Sequence, residues 1–390
     1  MATRVGLTAA QDAARRGFEE FARTRIAPFA DEWDRESALP EEFITEFAER
    51  GHLGGAIPTE HGGAGLDETT LGLLCEETGR ACSSVRSLIT VHGMVSRAVA
   101  RWGSTGQREH WLPRLARGAT IGAFALSEPG AGSDVKALAA TARRDGDGFV
   151  LTGEKRWTTF GQRADLFLLF ARLDDRETAF LVPADSAGLT VRPVESVLGT
   201  RASMLGELSL VECRVPGAAL LGRPGFGLVA VAADALELGR YTVAWGCVGL
   251  LQACLDATLA HAENRETFGA RLRDHQLVQR MIADMATAAS AARLLCQQAG
   301  LLREAGDQQG VHATWMAKYF ASTSAFKAAA DAVQAHGAQG CAGDHPVQRY
   351  LRDAKVMEII EGATELQQTT IADTAYQARA MAAAGKGAGA

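Results

Sequence analysis

From about residue 8 to 118, apolar positions recur every three or four residues, the spacing that sets one face of a helix against a core. Ala14, Phe18, Phe21 and Ile26 trace such a face over Ala9–Ile26, and the same rhythm predicts helices over Pro40–Arg50, Thr69–Arg80, Val85–Arg101 and Thr105–Arg117. Pro58 to Gly65 interrupts them as a turn-rich loop, and Asp67 or Thr69 is placed to cap the helix that follows. At Gly118 the period changes. Short β-branched and aromatic runs predict strands at Gly122–Leu126, Phe149–Thr152, Asp165–Ala171, Thr178–Val182, Leu189–Pro193 and Glu207–Val215. Leu166 to Phe170 is continuous enough to be buried on both faces. Gly222-Arg223-Pro224-Gly225 ends this block, and helical spacing returns in longer segments. Leu228–Asn264 has no proline, and Val278, Ile282, Met285, Ala289, Ala292 and Leu295 form one stripe. Gly310–His336 and Val347–Ile360 complete an antiparallel bundle, with Gly362 just beyond. The pattern is α+β: a helical domain over 1–119, a β domain over 120–222, a helical bundle over 223–382, and a disordered Gly/Ala-rich tail over 383–390.

Composition narrows the class. A net charge of −6 offers no basic stripe for nucleic acid. No apolar run is expected to span a bilayer, and the first residues lack a signal-peptide core, so a cytoplasmic location is expected. Seven scattered cysteines without a C-x-x-C pair read as buried free thiols, and nine histidines without a ligand-like spacing predict no metal.

Candidate chemistry concentrates in Gly122–Gly161. A short strand runs into Leu126-Ser127-Glu128-Pro129-Gly130-Ala131-Gly132-Ser133-Asp134, where glycines permit positive φ and an exposed backbone. A second strand leads to Trp157-Thr158-Thr159, a flat apolar ring beside stiff hydroxyls. This pair can seat a planar heteroaromatic cofactor; on spacing alone it can equally be a core hairpin with a glycine turn.

No nicotinamide fingerprint, phosphate loop or nucleophile elbow is present. Two other stretches stand out: Asn264 to Gly269 with Asp274-His275-Gln276, and Gln334 to Gly340 continuing through Arg349–Lys355 to Met357-Glu358-Ile359-Ile360-Glu361-Gly362. With 126–134 and 334–353 as its two ordered patterns, the chain resembles the acyl-CoA dehydrogenase superfamily over nearly its whole length. That resemblance implies FAD, a four-helix C-terminal bundle, and roles for individual residues. Phe124, Leu126, Ser127 and Ser133 would line the flavin and the thioester entrance, with Ser133 also touching substrate. Trp157 would pack on the isoalloxazine and Thr159 would lie near its N5. Arg265, Phe268, Gln276, Gln334 and Gly337 would reach the adenine-diphosphate half in a neighbouring subunit of a homodimer or homotetramer. Glu361 falls on the usual catalytic base. Some members carry the base on another helix, but the matching position here is Gly239, and Arg240 beside it is left to bind substrate or to make a structural ion pair. Ala363, Phe160, Ala338 and Phe124 depart from common family residues.

A narrower resemblance lies in Cys82–Ser87, Val243–Gly249, Trp157–Thr159 and Arg352–Gly362. These look like the enzymes that make hydroxymalonyl- or aminomalonyl-type extender units on acyl carrier proteins for polyketide pathways, including the methoxymalonyl route. This implies oxidation of a carrier-bound semialdehyde thioester. Short-chain acyl-CoA desaturation and a flavin monooxygenase or scaffold role are the alternatives, and the electrons would leave to an electron-transfer flavoprotein or to oxygen. Arg101, Arg108, Arg114 and Arg117 would suit an acidic carrier, or form a solvated helix face.

Overall fold

The computed structural model describes residues 6–343 and 345–387. The N-terminal part holds α1 (Ala9–Phe21), α2 (Ala30–Glu36), α3 (Glu41–Glu49), α4 (Glu68–Ala81), α5 (Ser83–Trp102) and α6 (Thr105–Ala116). Thr8 and Ser104 start α1 and α6 with capping boxes, and Asp67 caps α4 by accepting from Thr70 N. The expected first helix is completed by a π-helical turn over Ala22–Ile26. The sequence reading omitted α2, whose charged surface hides a short inward face of Ala30, Trp33 and Asp34.

An eight-stranded sheet follows: β1 (Gly122–Ala125), β2 (Thr141–Asp145), β3 (Gly148–Thr158), β4 (Leu166–Leu173), β5 (Arg176–Pro183), β6 (Leu189–Pro193), β7 (Gly206–Pro216) and β8 (Leu220–Leu221). The order is β6-β7-β3-β2-β4-β5-β8, with β1 parallel to β4. Leu166 to Phe170 is buried throughout, as its continuous apolar pattern requires. The reading missed β2, whose Thr-Ala-Arg-Arg-Asp sequence buries only Ala142. It also stopped β3 six residues short, because two register shifts between β3 and β7 break the alternation.

The bundle is formed by α7 (Ala233–Asn264), α8 (Gln276–Glu304), α9 (Gln309–His336) and α10 (Pro346–Met357), with α11 (Thr364–Gly387) against α9. A small hairpin, β9 (Glu266–Thr267) and β10 (Ala270–Arg271), joins α7 to α8. Three expectations need correction. The helix over Gly227–Asn264 is long and apolar enough to cross a membrane, but most of it is buried inside the protein as the central strut. The final helix runs to Gly387, so 383–387 is helical rather than a disordered tail; the rest of that expectation, 388–390, lies outside the described residues. Six cysteines are buried and free, but Cys341 is exposed.

Candidate active site

The Gly122–Gly161 stretch forms a platform tied together by a buried ion pair. Lys155 Nζ lies 2.6 Å from Glu128 Oε1, and both groups are shut away from solvent. The same carboxylate accepts from Ala139 N at 2.6 Å and Ala140 N at 3.1 Å. Arg156 N donates to Ser127 O, so the 127–134 turn is held against β3. Burial pushes the Lys155 ammonium down to about 8, against the opposing pull of Glu128. Neither Gly130 nor Gly132 has the positive φ expected from the sequence; what they share is open space where a side chain would be.

The second register shift of β3 falls between Lys155 and Thr158. Inside it Trp157 has φ +61°, which turns the ring out of the sheet to 51 % exposure. Arg156 lies over that ring at 4.8 Å. Thr159 and Phe124 are half-buried beside the platform, Leu126 is buried, and Ser127 and Ser133 are half-buried and exposed respectively. The buried hydroxyls of Thr158 and Ser203 have no partner within the protein.

Glu361 lies beyond the end of α10 rather than on it. The helix stops at Met357, and 358–362 forms a turn in which Glu361 has φ +55°. Three buried cations from three helices grip this turn. Arg240 Nε from α7 donates to Glu361 O at 3.0 Å, and Lys318 Nζ from α9 donates to Gly362 O at 2.9 Å. Arg86 Nη2 from α5 lies 3.0 Å from Met357 Sδ. Gln367 Nε2 also donates to Gly362 O. The Glu361 Oε2 atom is sealed from solvent and has no hydrogen-bond partner. Burial raises its carboxyl above the ordinary value, while Arg240, Lys318 and Arg86 oppose that rise. Such a group accepts a proton readily.

Gly239 explains how the carboxylate fits. A Cβ there would stand 2.6 Å from Glu361 Oε2 and 3.0 Å from Met94 Sδ. One residue away on either side of that contact, Leu238 and Gly93 line a small cavity of about 10 Å³ with His52, Leu71, Ile89 and Thr242. It holds no more than about one water. Arg240 is committed to the base turn and stacks on Trp315 at 4.0 Å, with Glu237 3.8 Å away.

The remaining predicted residues collect elsewhere. Arg265, Gln276, Gln334 and Gly337 are exposed, and Phe268 is fully exposed with φ +51°. They share one end of the bundle, where His261 of α7 stacks on His336 of α9 at 4.2 Å. Among the described residues no hydrogen bond, ion pair or ring contact joins them to Trp157 or Glu361.

The sequence reading missed Glu128, Lys155, Arg86 and Lys318. For Lys318 a signal existed: it is in phase with Thr314, Ser322 and the alanines of the buried α9 stripe. The platform suits the flavin that the resemblance implies. An outturned aromatic face, partnerless hydroxyls and a partnerless carboxylate oxygen are what a planar redox group and a C–H or O–H acid would engage. Trp157, Thr159, Ser127 and Ser133 are the residues that would hold it.

Comparisons with known proteins agree with this architecture. The acyl-CoA dehydrogenase N-terminal domain matches residues 8–119, the middle domain 123–213 and the C-terminal domain 227–376. The chain is 38 % identical over 359 residues to the mitochondrial short-chain specific acyl-CoA dehydrogenase of Mus musculus, covering 90 % of this chain and 87 % of that one. Among solved structures it resembles FkbI, described as acting in biosynthesis of the methoxymalonyl extender unit of the Fk520 polyketide. That similarity is 38 % identity and a TM-score of 0.86, over 93 % of this chain and 99 % of the other. It also resembles AnaB, a prolyl acyl carrier protein oxidase, at 28 % identity and a TM-score of 0.89, over 95 % and 99 %.

Proposed function

The chain belongs to the acyl-CoA dehydrogenase family, and from that premise we propose that it oxidises a carrier-protein-bound, 2-substituted semialdehyde thioester to a malonyl-type extender unit for polyketide assembly. At the level of the family it is an FAD-dependent oxidoreductase of acyl thioesters. One observation carries the finer reading. Three of the four stretches that resemble the extender-unit enzymes, 82–87, 243–249 and 352–362, lie far apart in sequence and meet at one buried point, while the fourth, 157–159, ends β3. Arg86 packs into the space left by Gly246 and reaches Met357, four residues before Glu361.

The residues supply binding, orientation and a proton acceptor. Bound flavin supplies the hydride acceptor. In the hydrated aldehyde, Glu361 takes the O–H proton; the C–H hydride leaves with its electron pair, and the carbon becomes a carboxyl. In the alternative, favoured by the mouse relative, Glu361 takes the α C–H proton of a short acyl-CoA, the β C–H hydride leaves with its electron pair, and an α,β double bond forms. Burial of Oε2 excludes water from the proton acceptor in either case.

The deciding experiment presents the FAD-loaded enzyme with a semialdehyde thioester on an acyl carrier protein and, separately, with butyryl-CoA. Bleaching of the flavin by the first, with malonyl-type product on the carrier, is expected. Bleaching by butyryl-CoA alone overturns the proposal for desaturation. Re-oxidation by electron-transfer flavoprotein or oxygen, a homodimer or homotetramer and a cytoplasmic location belong to the same proposal.

A further inference from the structure

Arg86 is a costly residue in an unexpected place. Its side chain is 1 % exposed, yet no carboxylate of the described residues comes within ion-pair distance. Its partners are a hydroxyl, Thr90 Oγ1 at 3.0 Å, and a thioether, Met357 Sδ at 3.0 Å. A thioether is a weak acceptor. Burying a charge on such terms is unfavourable by several kcal/mol unless its field is used. The surroundings are nonetheless built for it. A Cβ at Gly246 would lie 2.8 Å from Arg86 Cδ and Nε, in the middle of the side chain where little can give. By contrast Arg293, an equally buried arginine of α8, pairs with Glu76 at 2.9 Å.

The layer around Arg86 leads to the base by two routes. Through α10, its Nη2 meets the last helical residue before the Glu361 turn. Through α7, Thr90 Oγ1 lies 2.9 Å from Thr242 Oγ1, which donates to Gly239 O; Gly239 is the residue whose missing side chain makes room for the Glu361 carboxylate. We propose that Arg86 is a positioning residue for the base: clamped between Thr90 and Met357, its guanidinium fixes the turn and supplies positive field that keeps the Glu361 carboxylate ionised.

The charged groups that act on Glu361 are Arg240 from α7, Lys318 from α9 and Arg86 from α5; Glu237 in turn acts on Arg240, Glu358 on Lys318 and Asp353 on Arg86. The Cys247 thiol, pushed up to about 11 by burial, stays neutral beside Arg86 and Lys318. Removing Arg86 leaves the carboxylate buried with less opposing charge, so it holds its proton to higher pH. Lys318 is pushed down to about 8 by burial, and Arg86 is not among the groups that act on it.

The inference rests on Glu361 being the base, and its test does not need the substrate to be known. In the FAD-loaded full chain, the infrared carbonyl band of the protonated Glu361 is assigned by its loss in Glu361→Gln. Its pH of appearance is then followed. Arg86→Met is expected to move it upward by about one pH unit, with Arg86→Lys close to the parent. Flavin reduction by whichever thioester reduces the parent should be about tenfold slower at low pH and recover one unit higher, whereas a purely structural loss is slower at every pH. Arg86→Gln, which can still donate to Thr90, carries the comparison if Arg86→Met does not fold. Superimposable titrations in the parent and the uncharged variant, or an equal shift in Arg86→Lys, overturn the proposal. Full turnover by Glu361→Gln overturns the base instead, and the titration of Arg86→Met still reads the field.

Discussion

Glu128 and Glu361 are two carboxylates set beside buried cations, and they are treated in opposite ways. Glu128, under the flavin platform, is used up. Lys155 Nζ and two backbone N–H groups donate to it, so neither oxygen is left over. Glu361, across the site, has three cations near it, and all three are spent on other atoms: two main-chain oxygens and a thioether. Its Oε2 is left without a partner. The ingredients are the same, so burial and nearby charge do not by themselves separate a structural carboxylate from a reactive one. Between these two, the difference lies in whether the carboxylate oxygens are themselves occupied.

The comparison breaks most visibly if each carboxylate is neutralised or removed. Glu361→Gln keeps the shape and the cations but removes the base, so flavin reduction should fall by about 10²- to 10⁴-fold with FAD still bound. Stopped-flow reduction beside the flavin absorbance of the purified variant checks both halves. Glu128→Ala should do the reverse. It strands an ammonium that is 0 % exposed, so about 3–5 kcal/mol of stability is lost in chemical denaturation. FAD affinity should weaken with it, because the 127–140 segment loses its side-chain tie to β3. If Glu128→Ala proved as stable as the parent and only slow, the division between the two carboxylates would fail.

This division was only half legible in the sequence. Periodicity placed most helices, and alternation placed six strands, because those signals are local. Glu361 was marked by its apolar neighbours and by resemblance to a family. Its setting was not: the turn at φ +55° and the room made by Gly239 arise only when α7 meets the end of α10. Lys155 and Glu128 are 27 residues apart and read as ordinary charged residues, since composition cannot say which of many charges is buried. Arg86 and Lys318 escaped for the same reason. β2 escaped because its outward residues are all polar, and β3 looked too short because its bulges, one of which aims Trp157, also break its pattern.

A third buried group sharpens the contrast, since it is neutral and fully used. His92 accepts from Gly122 N at Nδ1, 3.3 Å away, so its Nε2 carries the hydrogen that is donated to Leu115 O at 3.0 Å. Burial holds its imidazole down to about 4 from the usual 6.5. Between those pH values the unfolded chain binds a proton that the folded chain refuses, so stability falls as pH drops from 6.5 towards 4, by about 3 kcal/mol. His52, also pushed down to about 4 by burial, adds a slope of the same sign. His92→Gln can keep both hydrogen bonds and should remove only its own share. Denaturation midpoints across this range, parent against variant, check it; an unchanged slope would show that His92 is free to protonate in place.

The smallest expected effect probes the space around the reactive carboxylate. In Gly239→Ala the new Cβ meets Glu361 Oε2 at 2.6 Å, the far end of a flexible side chain that can swing away. Glycine within a helix is less stable than alanine by about 0.5–1 kcal/mol, so the variant should melt no lower than the parent and slightly higher if the swing is free. The base, however, is displaced from its position. A misplaced base lowers the rate of flavin reduction, here by about tenfold, with little change in thioester binding. At Gly246 the same substitution would strike Arg86 at mid-chain, where nothing can swing, and should cost stability first. A variant at 239 that lost stability and kept its rate would mean that the glycine serves packing and that the room beside Glu361 has no part in the chemistry.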